Sequence, residues 1–158
     1  MRIADSIADS IADSIADSIA DSIADSIVTL ARDVRDALVA HARGCAPDEC
    51  CGLLLGRGDD VVEAVRARNI ADDPATRFLV EPKDHIDGRR AARARGLEIV
   101  GFYHSHPRSP AEPSARDLAE FSYPDHFYAI VSLLAEPAEV ALFRLEGGCF
   151  RRLSFTDG

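Results

Sequence analysis

The sequence is poor in lysine, has no tryptophan and contains no long apolar run. Lys83 is the single lysine among 18 basic residues, so every other cation is an arginine. No stretch approaches the roughly 18 consecutive apolar residues that a membrane-spanning helix needs, so we expect no membrane association. The N-terminus also lacks an apolar block behind a basic start, which predicts no secretory signal and a cytoplasmic location.

A positive net charge and a paired-cysteine motif are missing as well. The formal net charge is −9, which argues against nucleic acid as a partner because phosphate backbones attract basic surfaces. The four cysteines form no Cys-x-x-Cys pair, so a structural zinc knuckle is not expected. In a cytoplasmic protein the thiols should stay reduced, and we expect Cys51 to pack as a small apolar side chain.

The chain divides into a repeat and one domain. Residues 3–26 are six tandem copies of Ile-Ala-Asp-Ser and hold six aspartates without a basic residue, so the remainder carries −9 + 6 = −3. Aspartates spaced four apart repel one another on a helix. We therefore interpret residues 1–26 as a disordered or marginally helical low-complexity segment and residues 27–158 as the folded domain.

Hydrophobic periodicity predicts an α/β fold for that domain, a mixed β-sheet flanked by helices. Apolar residues at helical spacing from Ile27 to Leu38 predict an amphipathic helix, with Ser26 as its N-cap and Gly44 as its stop signal. A second helix is predicted from Pro82 to Gly96, because each of these residues suits its end of a helix. Short strands are predicted at 51–56, 61–69, 77–80, 97–103, 127–133, 139–145 and 149–155, with a short helix at 114–122.

Two histidines end the strand predicted at 97–103. His104 and His106 are two residues apart, and side chains at that spacing in an extended backbone point the same way. Asp117 follows after a loop stiffened by three prolines, which can return a carboxylate to the same place. Two imidazoles and one carboxylate, with a fourth position left for water, are the ligand set of a catalytic zinc ion. The pattern therefore predicts a Zn²⁺ site.

The same residues have other interpretations. A His-x-His at a strand end is commonly polar surface, and Ser114 with Asp117 fits a helix capping box that needs no metal. A hydrolytic site also needs a base, for which Glu49, just before an apolar strand, is a candidate. Other glutamates are equally eligible by chemistry: Glu63, Glu81, Glu98, Glu112 and Glu120.

Taken together, these motifs resemble the JAMM (MPN-plus) metallopeptidase family. The family pattern is a glutamate, then His-x-His, seven residues and Ser-x-x-Asp; the chain has Glu49, and Pro107 to Pro113 supply the seven residues without a gap. The resemblance covers roughly residues 27–155. It implies a mixed β-sheet flanked by helices, in agreement with the periodicity.

The resemblance also implies roles for individual residues. His104, His106 and Asp117 would hold the zinc ion, and Glu49 would be the general acid/base. Ser114 would donate a hydrogen bond to the oxyanion of the tetrahedral intermediate.

Family members cut after the C-terminal Gly-Gly of ubiquitin-like proteins. This near-minimal chain is similar to small bacterial members that release cysteine or peptide adducts from sulfur-carrier proteins. The resemblance thus implies a zinc-dependent (iso)peptidase with a ubiquitin-like or sulfur-carrier protein as its substrate. The alternative is a catalytically silent MPN-type module that only docks such a partner. A zinc deaminase is a weaker third option, because its His-x-Glu and Cys-x-x-Cys elements are missing.

Overall fold

The computed structural model describes residues 27–121 and 123–158, so the interpretation of the repeat lies outside the described residues. The strands are β1 (Ile27–Leu30), β2 (Cys51–Arg57), β3 (Asp60–Ala67), β4 (Glu98–His106), β5 (Phe127–Ser132), β6 (Glu139–Glu146) and β7 (Cys149–Thr156). The helices are α1 (Arg32–Cys45), α2 (Pro82–Ala94) and α3 (Ala115–Glu120).

The strands form a mixed sheet that closes into a barrel. Their order around it is β1-β3-β2-β4-β5-β6-β7. β1 closes the barrel by pairing in parallel with both β3 and β7. β4 and β5 are also parallel, and the other neighbours are antiparallel. β4 lies between β2 and β5, and its residues from Val100 to His106 are all buried.

The two faces of β4 pack into different clusters. Tyr103 belongs to an apolar cluster that includes Leu38 of α1. Phe102 points to the opposite side, into a cluster that includes Ala92 of α2. Since side chains alternate along a strand, the even-numbered residues after Phe102 share the α2 side of the sheet. That side therefore receives His104 and His106.

The helix predicted from Ile27 was wrong at its start. Residues 27–30 form β1, and α1 begins at Arg32 with Ala31, not Ser26, as an N-cap that makes no side-chain hydrogen bond. The run Ile-Val-Thr is β-branched, which favours a strand when partner strands are present on both sides. Helix α1 also continues to Cys45, so Gly44 lies inside its last turn.

The strand predicted at 77–80 was also wrong. Only an isolated bridge joins Asn69 to Val80 there. The other predicted elements are confirmed to within a few residues, and α2 begins at Pro82 and ends just before Gly96, whose φ is +69°. Cys51 is fully buried, and all four cysteines are free thiols. None of the helices in the described ranges is long and apolar enough to cross a membrane.

Candidate active site

Three side chains meet at the C-terminal end of β4. The Nε2 atoms of His104 and His106 lie 3.1 Å apart. The Asp117 carboxylate completes a triangle, with Oδ1 3.4 Å from His104 Nε2 and Oδ2 3.5 Å from His106 Nε2. All three residues are buried. The two-residue spacing thus brings both rings to one point, as the strand periodicity predicts.

Each histidine ring is held in place by further contacts. His106 Nδ1 lies 2.8 Å from the carbonyl oxygen of Pro110. Because a carbonyl only accepts, Nδ1 carries the hydrogen in the neutral ring, and the Nε2 lone pair faces Asp117 and His104. The His104 ring stacks on Phe78, with centroids 4.3 Å apart and planes 17° apart, and meets the edge of Phe121. These contacts fix the direction in which each donor nitrogen points.

The capping box and the cluster use the same aspartate. Ser114 Oγ accepts a hydrogen bond of 3.0 Å from the backbone N–H of Asp117, and the Ser114 N–H donates at 2.8 Å to Asp117 Oδ2. Asp117 therefore caps α3 and faces both histidines at once. The two sequence interpretations do not compete, because the cap is what holds the carboxylate in place.

These donors fit a zinc ion. Tetrahedral zinc with nitrogen and oxygen ligands at about 2.0–2.1 Å places neighbouring donor atoms roughly 3.3 Å apart. The three observed separations, 3.1, 3.4 and 3.5 Å, lie around that value. Two imidazoles with one carboxylate also suit zinc better than calcium or magnesium, which prefer oxygen ligands alone.

The protonation of the cluster suits a cation. Although burial alone would raise it, hydrogen bonds to His104 and His106 hold the pKa of Asp117 well below its usual range. Burial lowers the pKa of His104. Burial would also lower the pKa of His106, but the Asp117 carboxylate and the Pro110 carbonyl raise it. An ionised Asp117 and a neutral His104 are the states in which these two groups act as metal ligands, whereas a metal ion would have to displace a proton from His106.

Glu49 lies beside this cluster. It lines a cavity of about 270 Å³ together with His106, Ser114 and Asp117. Burial raises the pKa of Glu49 to about 7, with the charges of His106 and Asp117 acting in opposite directions. A carboxyl group with that pKa exchanges protons readily near neutral pH.

Of the six glutamates that were eligible by chemistry, Glu49 is the buried one. Glu120 lines the same cavity, but it is exposed and contacts Arg77 at 3.5 Å. Glu63 contacts Arg95, and Glu81 caps α2. Glu49 is thus the one of the six that is both buried and beside the cluster.

The positioning residues around Glu49 were missed in the sequence. Its backbone N–H donates to the Pro74 carbonyl at 2.7 Å, and its carbonyl accepts from Asn69 Nδ2 at 3.0 Å. The next residue, Cys50, donates its N–H to Ser105 Oγ at 2.8 Å. Ser105 stands between the two histidines and could have been suspected, but nothing in the sequence marks Asn69 or Phe78.

Comparison with known proteins places this arrangement in a family. Residues 31–146 match the family of prokaryotic homologs of the JAB domain. The chain belongs to that family. The match spans all five residues of the JAMM pattern, and the recognition made from the motifs is confirmed.

Two relatives of this JAB domain carry the names desampylase and CysO-cysteine peptidase. The desampylase of Haloferax volcanii is 38% identical over 111 residues, which cover 66% of this chain and 80% of the relative. The CysO-cysteine peptidase of Mycobacterium tuberculosis is 33% identical over 107 residues, covering 67% of this chain and 73% of the relative.

Solved structures support the fold of this JAB domain. A protein from Desulfitobacterium hafniense superposes with a TM-score of 0.75 at 30% identity, covering 82% of this chain and 91% of that one. A JAB1/MPN domain protein from Archaeoglobus fulgidus gives a TM-score of 0.55 at 21% identity, covering 83% and 99%. The mixed α/β architecture expected from the sequence is therefore that of the JAB1/MPN fold.

Proposed function

We propose that this chain is a zinc-dependent peptidase or isopeptidase. It hydrolyses the bond after the C-terminal Gly-Gly of a ubiquitin-like or sulfur-carrier protein and releases cysteine or a peptide adduct. The observation that carries this proposal is the convergence of Glu49, Ser114 and two members of the three-residue cluster on one cavity. The names of the two relatives, a desampylase and a CysO-cysteine peptidase, support the substrate class.

The cluster of His104, His106 and Asp117 would hold the zinc ion. When bound, zinc supplies Lewis acidity, which polarises a carbonyl and makes water a nucleophile near neutral pH. The contacts with Pro110 and Phe78 would keep both imidazoles in the orientation in which they can bind the ion.

Glu49 moves the proton. Its carboxylate accepts a proton from the attacking water as the water oxygen bonds to the carbonyl carbon of the second glycine. It then returns that proton to the leaving nitrogen as the C–N bond breaks. A pKa of about 7, caused by burial, allows one group to serve as base and then as acid.

Ser114 stabilises the oxyanion. Its Oγ already accepts from the Asp117 N–H, so the hydroxyl hydrogen stays free to be donated into the cavity. Removal of one such donor costs other enzymes roughly 10²–10³-fold in turnover.

The test is hydrolysis of a defined adduct. A sulfur-carrier protein ending in Gly-Gly-Cys is incubated with the protein, and the products are weighed by mass spectrometry. Loss of cysteine after the second glycine, abolished by a chelator and restored by zinc, is the expected result. Carriers that stay intact with zinc fully loaded would instead favour a silent binding module.

A further inference from the structure

The cavity beside Glu49 is lined by three arginines. They are Arg77, Arg108 and Arg116, in a chain whose formal net charge is −9. Arg77 is already paired, since its guanidinium lies 3.5 Å from Glu120. Among the described residues, no carboxylate lies within 4.0 Å of Arg108 or Arg116. Two exposed guanidinium groups therefore reach this cavity without an acidic partner.

Both of these arginines are close in sequence to residues of the three-residue cluster. Arg108 comes two residues after His106, and Arg116 comes directly before Asp117. The charge of Arg116 reaches Glu49, because it partly opposes the rise that burial causes in the pKa of that carboxyl. Both side chains thus line the cavity in which the proposed mechanism puts the scissile bond.

The chemistry of the leaving group supplies an anion at that place. When Gly-Gly is joined by an ordinary peptide bond to a final amino acid, the α-carboxylate lies only about 4 Å from the scissile carbonyl carbon, from standard bond lengths. In an isopeptide to a lysine side chain, that position is a methylene group. Guanidinium groups bind carboxylates through paired, charge-assisted hydrogen bonds.

We propose that Arg108 and Arg116 bind the α-carboxylate of the leaving amino acid. They thereby make the enzyme prefer a carrier with one C-terminal amino acid after Gly-Gly over a carrier joined to a lysine side chain. This inference rests on the proposed function and narrows its substrate class. The incoming carboxylate must approach the acidic side chains of Glu49 and Asp117, which repel it. The two unpaired arginines offset that electrostatic repulsion.

The experiment compares three substrates, two of which differ by a single charge. The carrier ending in Gly-Gly-Cys is prepared with a free C-terminal carboxylate and with a C-terminal carboxamide, and a third substrate carries a lysine isopeptide. We expect the wild type to cleave the free carboxylate with a kcat/KM roughly 10- to 100-fold above the other two. The double variant Arg108→Gln/Arg116→Gln should bring the carboxylate-to-carboxamide ratio close to one.

Arg77→Gln is the matched control, because it removes a cavity arginine that already has a partner; the carboxylate preference should persist in it. Equal cleavage of both cysteine substrates by the wild type would overturn the inference and leave the proposed peptidase standing. So would a preference that survives in the double variant.

A binding measurement separates this inference from turnover. Glu49→Gln, which should not hydrolyse, is titrated calorimetrically with a tail peptide ending in Gly-Gly-Cys, as carboxylate and as carboxamide. Tighter binding of the carboxylate, lost when both arginines are also replaced, supports the inference on its own. Equal binding contradicts it. Absence of cleavage of any substrate by zinc-loaded wild type would count against the peptidase itself.

Discussion

Glu49 lines the cavity but is not one of the three residues of the proposed metal cluster. Glu49→Gln keeps the shape of the side chain but cannot accept a proton from water. We expect turnover to fall by roughly 10²–10⁴-fold, the usual contribution of a general acid–base group, while zinc content stays at that of the wild type. Steady-state kinetics and elemental analysis of the same preparation measure turnover and zinc content, respectively. Turnover near that of the wild type would remove Glu49 from the mechanism.

His106→Ala, unlike Glu49→Gln, should lose zinc as well as turnover. Its Nε2 lies 3.1 Å from that of His104, so its loss removes one of three proposed ligand atoms. Two ligands hold zinc poorly, and we expect less than one zinc per chain by elemental analysis and no turnover. Stoichiometric zinc in this variant would place the metal elsewhere.

His41 should make folding stability depend on pH. Its Nδ1 is hydrogen-bonded to the Tyr103 hydroxyl at 2.7 Å, and burial, helped by the charge of Arg66, lowers the pKa of His41 to about 4. Between pH 6.5 and 4 the unfolded chain binds a proton that the folded chain does not. The free energy of unfolding should therefore fall as the pH falls through this window, by up to about 3 kcal/mol from this group.

His41→Gln removes that titration and keeps a neutral hydrogen-bonding group. Urea unfolding at pH 7 and pH 4.5 should show a smaller loss of stability in this variant than in the wild type. His85→Gln is the control, because His85 is less buried and most of the loss should persist. An unchanged pH dependence in His41→Gln would contradict the assignment.

At the scale of elements, the 69–80 segment is organised by one amide group. Asn69 Nδ2 donates to the carbonyls of Glu49 and Arg77, at 3.0 and 2.9 Å. Its Oδ1 accepts from the backbone N–H groups of Ala71 and Leu79, at 3.1 and 3.0 Å. One side chain thus closes the segment on itself and ties it to Glu49, two residues before β2.

Asn69→Ala should therefore loosen the cavity wall without touching the metal. We expect kcat/KM to fall roughly tenfold and stability to fall by about 1 kcal/mol, because the half-buried Glu49 carbonyl and the exposed Arg77 carbonyl lose their donor. Zinc content should not change, since the hydrogen bonds of the Asn69 side chain go to Glu49, Arg77, Ala71 and Leu79 and not to the cluster. Leu79→Ala is the control, because that side chain is 55% exposed and its backbone bond to Asn69 is kept. Zinc loss in Asn69→Ala, or unchanged kinetics, would contradict this role.

Local sequence signals predicted some of these elements correctly and missed others. The histidine pair could be predicted because the alternation of side chains along a strand is a local property. Helix α2 could be predicted because Pro82 and Gly96 restrict or relax the backbone at their own positions. The strand predicted at 77–80 failed because an amide side chain takes the place of a ladder partner at Leu79. The start at Ile27 failed because β1 depends on pairing with β7, more than 100 residues away, and local spacing does not report such pairing.

At the scale of the whole molecule, strand β1 is the N-terminal element that closes the barrel. β1 fills the gap between β3 and β7, and its Val28 and Leu30 are buried to 1% and 0% exposure. Burial of two such side chains contributes about 3–6 kcal/mol. All five residues of the JAMM pattern lie between positions 49 and 117, well after the repeat.

Deletion of residues 3–22 should therefore leave both melting temperature and zinc content nearly unchanged. The repeat supplies no residue of the pattern, and its six aspartates repel one another at helical spacing. Deletion of residues 3–30 is the matched comparison, because it also removes β1, exposes the edges of β3 and β7, and should lower the melting temperature by about 10 °C or more. Calorimetric melting of both proteins, with zinc analysis, makes the comparison. A large drop already in the shorter deletion would mean that the repeat packs on the domain and stabilises it.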